Sequence, residues 1–309
     1  MSSTTTFRGV VPPILTPLTA EGEVDVASLE RLTEHLLASG VHGLFVLGST
    51  GEVAYLTDAQ RALVVRTVVA AVGGRVPVMA GAIDLTQGRV VEQCRAMAAA
   101  GADAVVVTAP LYAINDVAEI EAHFRAVAAA VDVPVFAYDV PVRVHTKVPA
   151  DLLVRLGVDG VLAGVKDSSG DDVGFRRLVA KNKAAGSPLA LFTGHEVVVD
   201  GMLLLGADGV VPGLGNVDAA AYVRLWDLAG EGRWDEARAE QDRIAALFEI
   251  VFQPQGRSGD AAGVGAFKAA CAEQGLIATR TTAFPVRQLD DETAEKVAAI
   301  VRESGLVRV

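Results

Sequence analysis

Cysteine is scarce in this chain of 309 residues: Cys94 and Cys271 stand far apart, with no CxxC spacing. That excludes a disulfide framework and leads us to expect a reduced, cytosolic protein. Positive charge is short too. Lys and Arg total 27 against 38 Asp and Glu, a net charge of −11. Nucleic acid and anionic membranes both require a basic face, so neither is expected as a partner. Long apolar runs are missing, since stretches 96–114 and 197–217 are broken by Asp, Gly and Pro, and no membrane span is expected. The opening "MSSTTTFRGV" lacks a charged segment leading into an apolar one, so no secretory signal is expected.

Several chemical signatures are missing as well. "HEVVVD" at 195–200 lacks the second histidine of a zinc helix, and the five histidines form no cluster. There is no GxxxxGK[ST] loop, "GLGNVD" is not a dinucleotide fingerprint, and no GxSxG elbow appears. Neither a metal site nor a nucleotide-cofactor site is expected from these motifs.

What is present is apolar and repetitive. Hydrophobic residues make up 51% of the chain, rich in Ala, Val and Leu, enough to bury a large core. Four segments share one shape: "GVHGLFVLG" from Gly40, "GADAVVVTA" from Gly101, "GVDGVLAGV" from Gly157 and "GADGVVPGL" from Gly206. Each offers a glycine suited to ending a helix, then turn residues, then an apolar strand. Between them fall "VPPILT", "VPVMAG", "VPVFAY" and "SPLALF", where proline opens the strand. Their unbroken hydrophobicity suits parallel strands covered on both faces. Helix-like patterns follow most of them, at 25–40, 57–74, 86–101 and 116–131, with shorter ones near 149–157 and 171–186. Eight such units predict a (β/α)8 TIM barrel over 1–225. Past it, 226–309 predicts three further helices packed on the barrel with no linker between. A doubly wound open sheet fits less well, lacking both the eightfold count and a phosphate fingerprint.

In such a barrel, reacting groups project from the C-terminal ends of the strands. Predicted strand ends carry "GSTGE" (48–52), "APLY" (109–112), "YDVPVR" (138–143), Lys166 and "FTGH" (192–195). Lys166 alone among six lysines closes a strand-like run. It can be a rim charge paired with Asp167. It can also be an amine in a dry mouth, where desolvation favours the neutral form that attacks a ketone to give a Schiff base. "GSTGE" is either a plain turn or a row of N–H groups and hydroxyls fit for a carboxylate. Tyr138 is either a core aromatic or a proton shuttle beside Lys166, and Arg143 either a surface charge or a grip on a second substrate carboxylate.

The ordered set "GSTGE", "YDVP" and "GVKDSS", with "VPPILTPLTAEGEVD" before and "GLGNV" and a helical tail after, resembles the dihydrodipicolinate synthase and N-acetylneuraminate lyase family. These are pyruvate-dependent class I aldolases. The resemblance implies a barrel with a C-terminal helical extension, usually a homotetramer built as a dimer of dimers, and no metal or organic cofactor. It implies that Lys166 forms the Schiff base and that Tyr138 is the acid/base residue. Ser49 would belong to a proton relay completed by Tyr112 of a neighbouring subunit, and Thr50 would face the pyruvate carboxylate. Gly194 and Val211 would line the pocket, and Arg143 would bind the aldehyde's carboxylate, as in the synthases. The chain departs from the synthases' usual "YNVPSRTG" by Asp139 and Val144–His145, and from "GTTGE" by Ser49. At the places of the lysine-feedback site it carries Asp84, Gly88 or Arg89, and Leu111, so no lysine feedback is expected. The implied activity is a lyase joining or splitting pyruvate and an aldehyde, the whole substrate being a 2-keto-3-deoxy acid or similar. Dihydrodipicolinate synthase itself is the alternative. A dehydratase or decarboxylase using the same imine, and a barrel that only binds ligand, rank lower.

Overall fold

The computed structural model describes residues 7–306 and 308. Eight parallel strands follow the chain in order: β1 (Gly9–Val10), β2 (Leu44–Val46), β3 (Val78–Gly81), β4 (Ala104–Thr108), β5 (Val135–Asp139), β6 (Gly164–Asp167), β7 (Ala190–Thr193) and β8 (Gly209–Val210). From β2 onward each pairs with the next, and β8 pairs with β1. The remaining seam closes where Pro13 bridges to Phe45 and the Phe45 N–H donates to the Pro12 carbonyl at 3.0 Å. This is a (β/α)8 barrel with added C-terminal helices, as the eightfold repeat predicts. Each strand core is buried because helices cover its outer face and side chains fill the inside.

The helices begin where short polar side chains cap orphan N–H groups. Asp25 caps Val26–Ala38, and Thr57 and Asp116 form capping boxes with Gln60 and Glu119. Glycines 40, 101 and 206 adopt left-handed φ at the predicted stops. Gly157 does not: it lies inside the helix Ala150–Val158, and Gly160 (φ 71°) makes the turn instead. A Cβ on Gly157 would sit 2.6 Å from Leu189 Cγ, so the absent side chain lets helix and sheet approach.

Strand alternation sends Phe136 and Tyr138 into the barrel and their neighbours outward. Phe7, Phe136 and Phe192 stack edge to face across the lower barrel, with centroids at 5.1 and 6.2 Å. All three are buried, and each contributes about 2–3 kcal/mol by leaving water. Above this plug, Phe45 packs edge-on to Tyr138.

The division drawn at 225/226 falls inside the helix Ala219–Gly230, the eighth of the barrel's outer ring. Trp234–Phe248, Gly259–Glu273 and Asp291–Glu303 follow as the added helices. An unforeseen short helix, Pro141–Val144, follows β5 directly, opened by a proline whose missing N–H costs nothing there. No helix among the described residues is long and apolar enough to cross a membrane.

Candidate active site

The β5–β6 register places Tyr138 directly beside Lys166, both pointing inward at the C-terminal end of the barrel. Lys166 is only 7% exposed, so the rim position open in the sequence is ruled out. Its Nζ lies 4.1 Å from the Tyr138 ring centroid and 4.9 Å from that of Phe45, under two π faces that favour a cation. The Tyr138 hydroxyl stands 3.4 Å from Ser49 Oγ. Burial alone would raise this phenol. The Lys166 charge, together with hydrogen bonds from Ser49, Lys166 and Ser168, outweighs burial and holds it below its ordinary 10.0. A phenol eased toward ionisation beside a buried amine is equipped to pass protons.

The turn that delivers Ser49 is strained at both ends. Leu47 and Glu52 each adopt φ 58°, a left-handed conformation uncommon for residues other than glycine. Gly81 on β3 permits it, because a Cβ there would strike the Leu47 carbonyl oxygen. Glu52 anchors the turn from beneath. It is 2% exposed, accepts from the Ala283 N–H at 2.7 Å, and pairs with Lys268, itself wholly buried in the helix Gly259–Glu273. Lys268 also donates to the Thr281 carbonyl at 2.7 Å. The C-terminal extension thus holds the second strand's turn in place.

Above Tyr138 and Ser49 opens a cavity of about 240 Å³, whose walls include Tyr55, Thr108, Leu111, Arg143 and Asp260. Lys166 is not in its wall and lies beside Tyr138 below. Thr50, in the same turn as Ser49, does not line it either. Nor do Gly194 and Val211, at the ends of β7 and β8. Gly194 instead gives room to the Ser168 hydroxyl and donates to the Asp167 carbonyl at 2.6 Å. Tyr112 is 89% exposed and does not line this cavity. A larger hollow, about 810 Å³, lies at the opposite end of the barrel between Phe7, Lys183 and Trp226 and holds none of these groups.

Four acids surround the site, of which Glu196 and Asp260 escaped the sequence reading. Asp139 and Asp167, one step along from Tyr138 and Lys166, point out of the barrel, and Lys147 bridges them. Burial, against the pull of Lys147 and with Asp167 adding to the rise, pushes Asp139 up to about 6. Asp139 therefore belongs to the barrel wall and does not line the cavity. Glu196 is pushed up to about 7 by burial, against the Leu214 N–H at 2.5 Å and the Lys166 charge, though its side chain keeps partial exposure. Its signal was a carboxylate immediately after "FTGH". Asp260 had none, since the helix carrying it returns to the rim only in the fold.

The model of the dihydrodipicolinate synthetase family matches residues 6–304. The chain belongs to that family. It is 32% identical over 303 residues to a 4-hydroxy-tetrahydrodipicolinate synthase of Phenylobacterium zucineum, covering 97% of this chain and 98% of the relative. It is 34% identical over 301 residues to an uncharacterized DapA-like lyase of Halobacterium salinarum, covering 97% and 95%. Among solved structures it is similar to YagE, a prophage protein of the family from E. coli K12 in complex with pyruvate, with TM-score 0.91 and 25% identity over 98% of this chain and 100% of that one. A monomeric dihydrodipicolinate synthase variant superimposes with TM-score 0.90 at 26% identity, over 97% and 98%. This member of the dihydrodipicolinate synthetase family is accordingly an enzyme, a lyase of the class I aldolase type.

Proposed function

We propose that the protein is a Schiff-base lyase that splits a 2-keto-3-deoxy acid, or a similar one, into pyruvate and an aldehyde, or runs the reverse. One observation carries this reading: Lys166 Nζ lies buried against Tyr138, whose hydroxyl meets Ser49 below the cavity. The lone pair of neutral Lys166 attacks the ketone carbon, Tyr138 supplies the proton that lets the carbinolamine lose water, and a protonated imine results. That imine accepts the electron pair of the breaking C–C bond, while the aldehyde's hydroxyl proton passes to Tyr138. In condensation the same steps run backward. Side chains alone supply this chemistry.

The second reading, 4-hydroxy-tetrahydrodipicolinate synthase, is favoured by Arg143 in the cavity wall and by the relatives' names. We expect no lysine feedback with it, a reading supported by Asp84, which is paired with Arg89 at 2.8 Å and with Arg61. We further propose a homotetramer in which Tyr112 completes a neighbour's relay, a reading supported by a tyrosine left 89% exposed. A cytoplasmic location is supported by two free, buried cysteines.

The test is borohydride trapping with pyruvate and peptide mapping, followed by a pyruvate-release screen across 2-keto-3-deoxy acids and a condensation assay with aspartate semialdehyde. Label on the peptide containing Lys166, with release from a deoxy acid, supports the first reading. Condensation only with the semialdehyde supports the second. Label elsewhere, or none, refutes both.

A further inference from the structure

The aldehyde end of the cavity holds a cation that is already occupied. Arg143 turns both terminal guanidinium nitrogens onto the two oxygens of Asp260, the Nη1 contact at 3.1 Å. Asp260 also accepts from the Tyr55 hydroxyl at 2.7 Å. Its side chain is 14% exposed, and it lies in the first turn of Gly259–Glu273, where the helix dipole favours an anion. Tyr55, Arg143 and Asp260 all line the cavity. The remaining charge there, Glu52, is cancelled by Lys268.

The far end is therefore electrically neutral, with an anion fixed beside the only cation among the wall residues. A second substrate carboxylate would have to displace Asp260 from Arg143 and then sit against it. A hydroxyl meets no such obstacle, because it donates to Asp260 and accepts from Arg143 with the pair intact. We propose that Asp260 is a specificity-determining residue, which through its grip on Arg143 selects an uncharged, hydroxyl-bearing aldehyde over one ending in a carboxylate. This rests on the Lys166 imine proposed above and deepens it.

The test uses the full-length wild type, Asp260→Asn and Tyr55→Phe at saturating pyruvate. Glyceraldehyde and succinic semialdehyde serve as substrates, or as inhibitors of pyruvate methyl-proton exchange where neither turns over. Borohydride trapping of pyruvate is measured on each protein. Asp260→Asn is expected to lower the KM or inhibition constant for succinic semialdehyde about tenfold and to raise that for glyceraldehyde, with trapping unchanged; tenfold corresponds to about 1.4 kcal/mol. Tyr55→Phe, which only loosens Asp260, is expected to move each constant in the direction that Asp260→Asn does, by about threefold, a part of what one hydrogen bond to a charged group contributes. An unchanged ratio of the two constants in both variants, with trapping retained, overturns the role of Asp260 alone. Absence of trapping in the wild type overturns the imine, and this proposal with it.

Discussion

Lys147→Met offers a sharp test of how the barrel wall is held behind the reacting pair. Lys147 bridges Asp139 and Asp167, whose side chains are 0% and 5% exposed, while its own is 36% exposed. Removing one partner of a buried ion pair costs about 3–5 kcal/mol, and solvent screening of the half-buried lysine places this case near the lower end, at about 3. Unfolding entropy near 2.1 cal/mol/K per residue gives about 0.65 kcal/mol/K for a chain of 309 residues, so Tm should fall by about 5 °C. The pH dependence adds a sign. Burial raises Asp139 to about 6 from 3.8, so between those values the folded protein keeps a proton that the unfolded chain has released. Its contribution to stability therefore falls as pH rises through about 4 to 6 and is level above. Lys147 is shifted upward too: burial opposes its charge, but Asp139 and Asp167 outweigh burial. Both partners move up because Asp139 bears most of the desolvation and Lys147 receives the attraction. Without Lys147, Asp139 protonates still more readily, so the loss should be largest at pH 7.5 and smallest at pH 5. Asp139→Asn added to Lys147→Met should regain at least half of it. Urea unfolding of the three proteins at both pH values is the assay. A loss under 1 kcal/mol at pH 7.5, or one that grows at pH 5, would refute the reasoning.

Lys166→Ala should abolish borohydride trapping of pyruvate, and retention of full activity would end the Lys166 assignment. Tyr138→Phe should keep trapping but slow turnover by about 10²- to 10⁴-fold, read from kcat in the pyruvate-release assay. Lys268→Met should cost about 3–5 kcal/mol in chemical denaturation, since it leaves Glu52 buried beside one N–H donor, and Glu52→Gln in the same protein should restore most of that. Sedimentation should show a tetramer, and Tyr112→Ala should lower kcat; a fully active monomer would contradict the proposed relay between subunits.

Repetition in the chain determined the barrel. Four glycine-led and four proline-led apolar segments, alternating with capped helical patterns, leave few ways to bury every strand on both faces. The positions of Ser49, Tyr138 and Lys166 on one rim follow from the same count, because strand ends in a parallel barrel all face one way. Even so, one local signal misled. Gly157 reads as a helix stop like its counterparts, yet the helix passes through it, since close packing on Leu189 demands a missing side chain just as a turn does.

Only the tertiary structure decided which charges meet. Arg143 and Asp260 are 117 residues apart and Glu52 and Lys268 are 216 apart, so no local pattern links them. Asp139 in the sequence is only a departure from the synthases' pattern, whereas the fold turns it outward onto Lys147. Backbone preference and hydrophobic period act over a few residues and can be read along the chain. Ion pairing depends on where distant helices come to rest, and that is set by packing of the whole molecule.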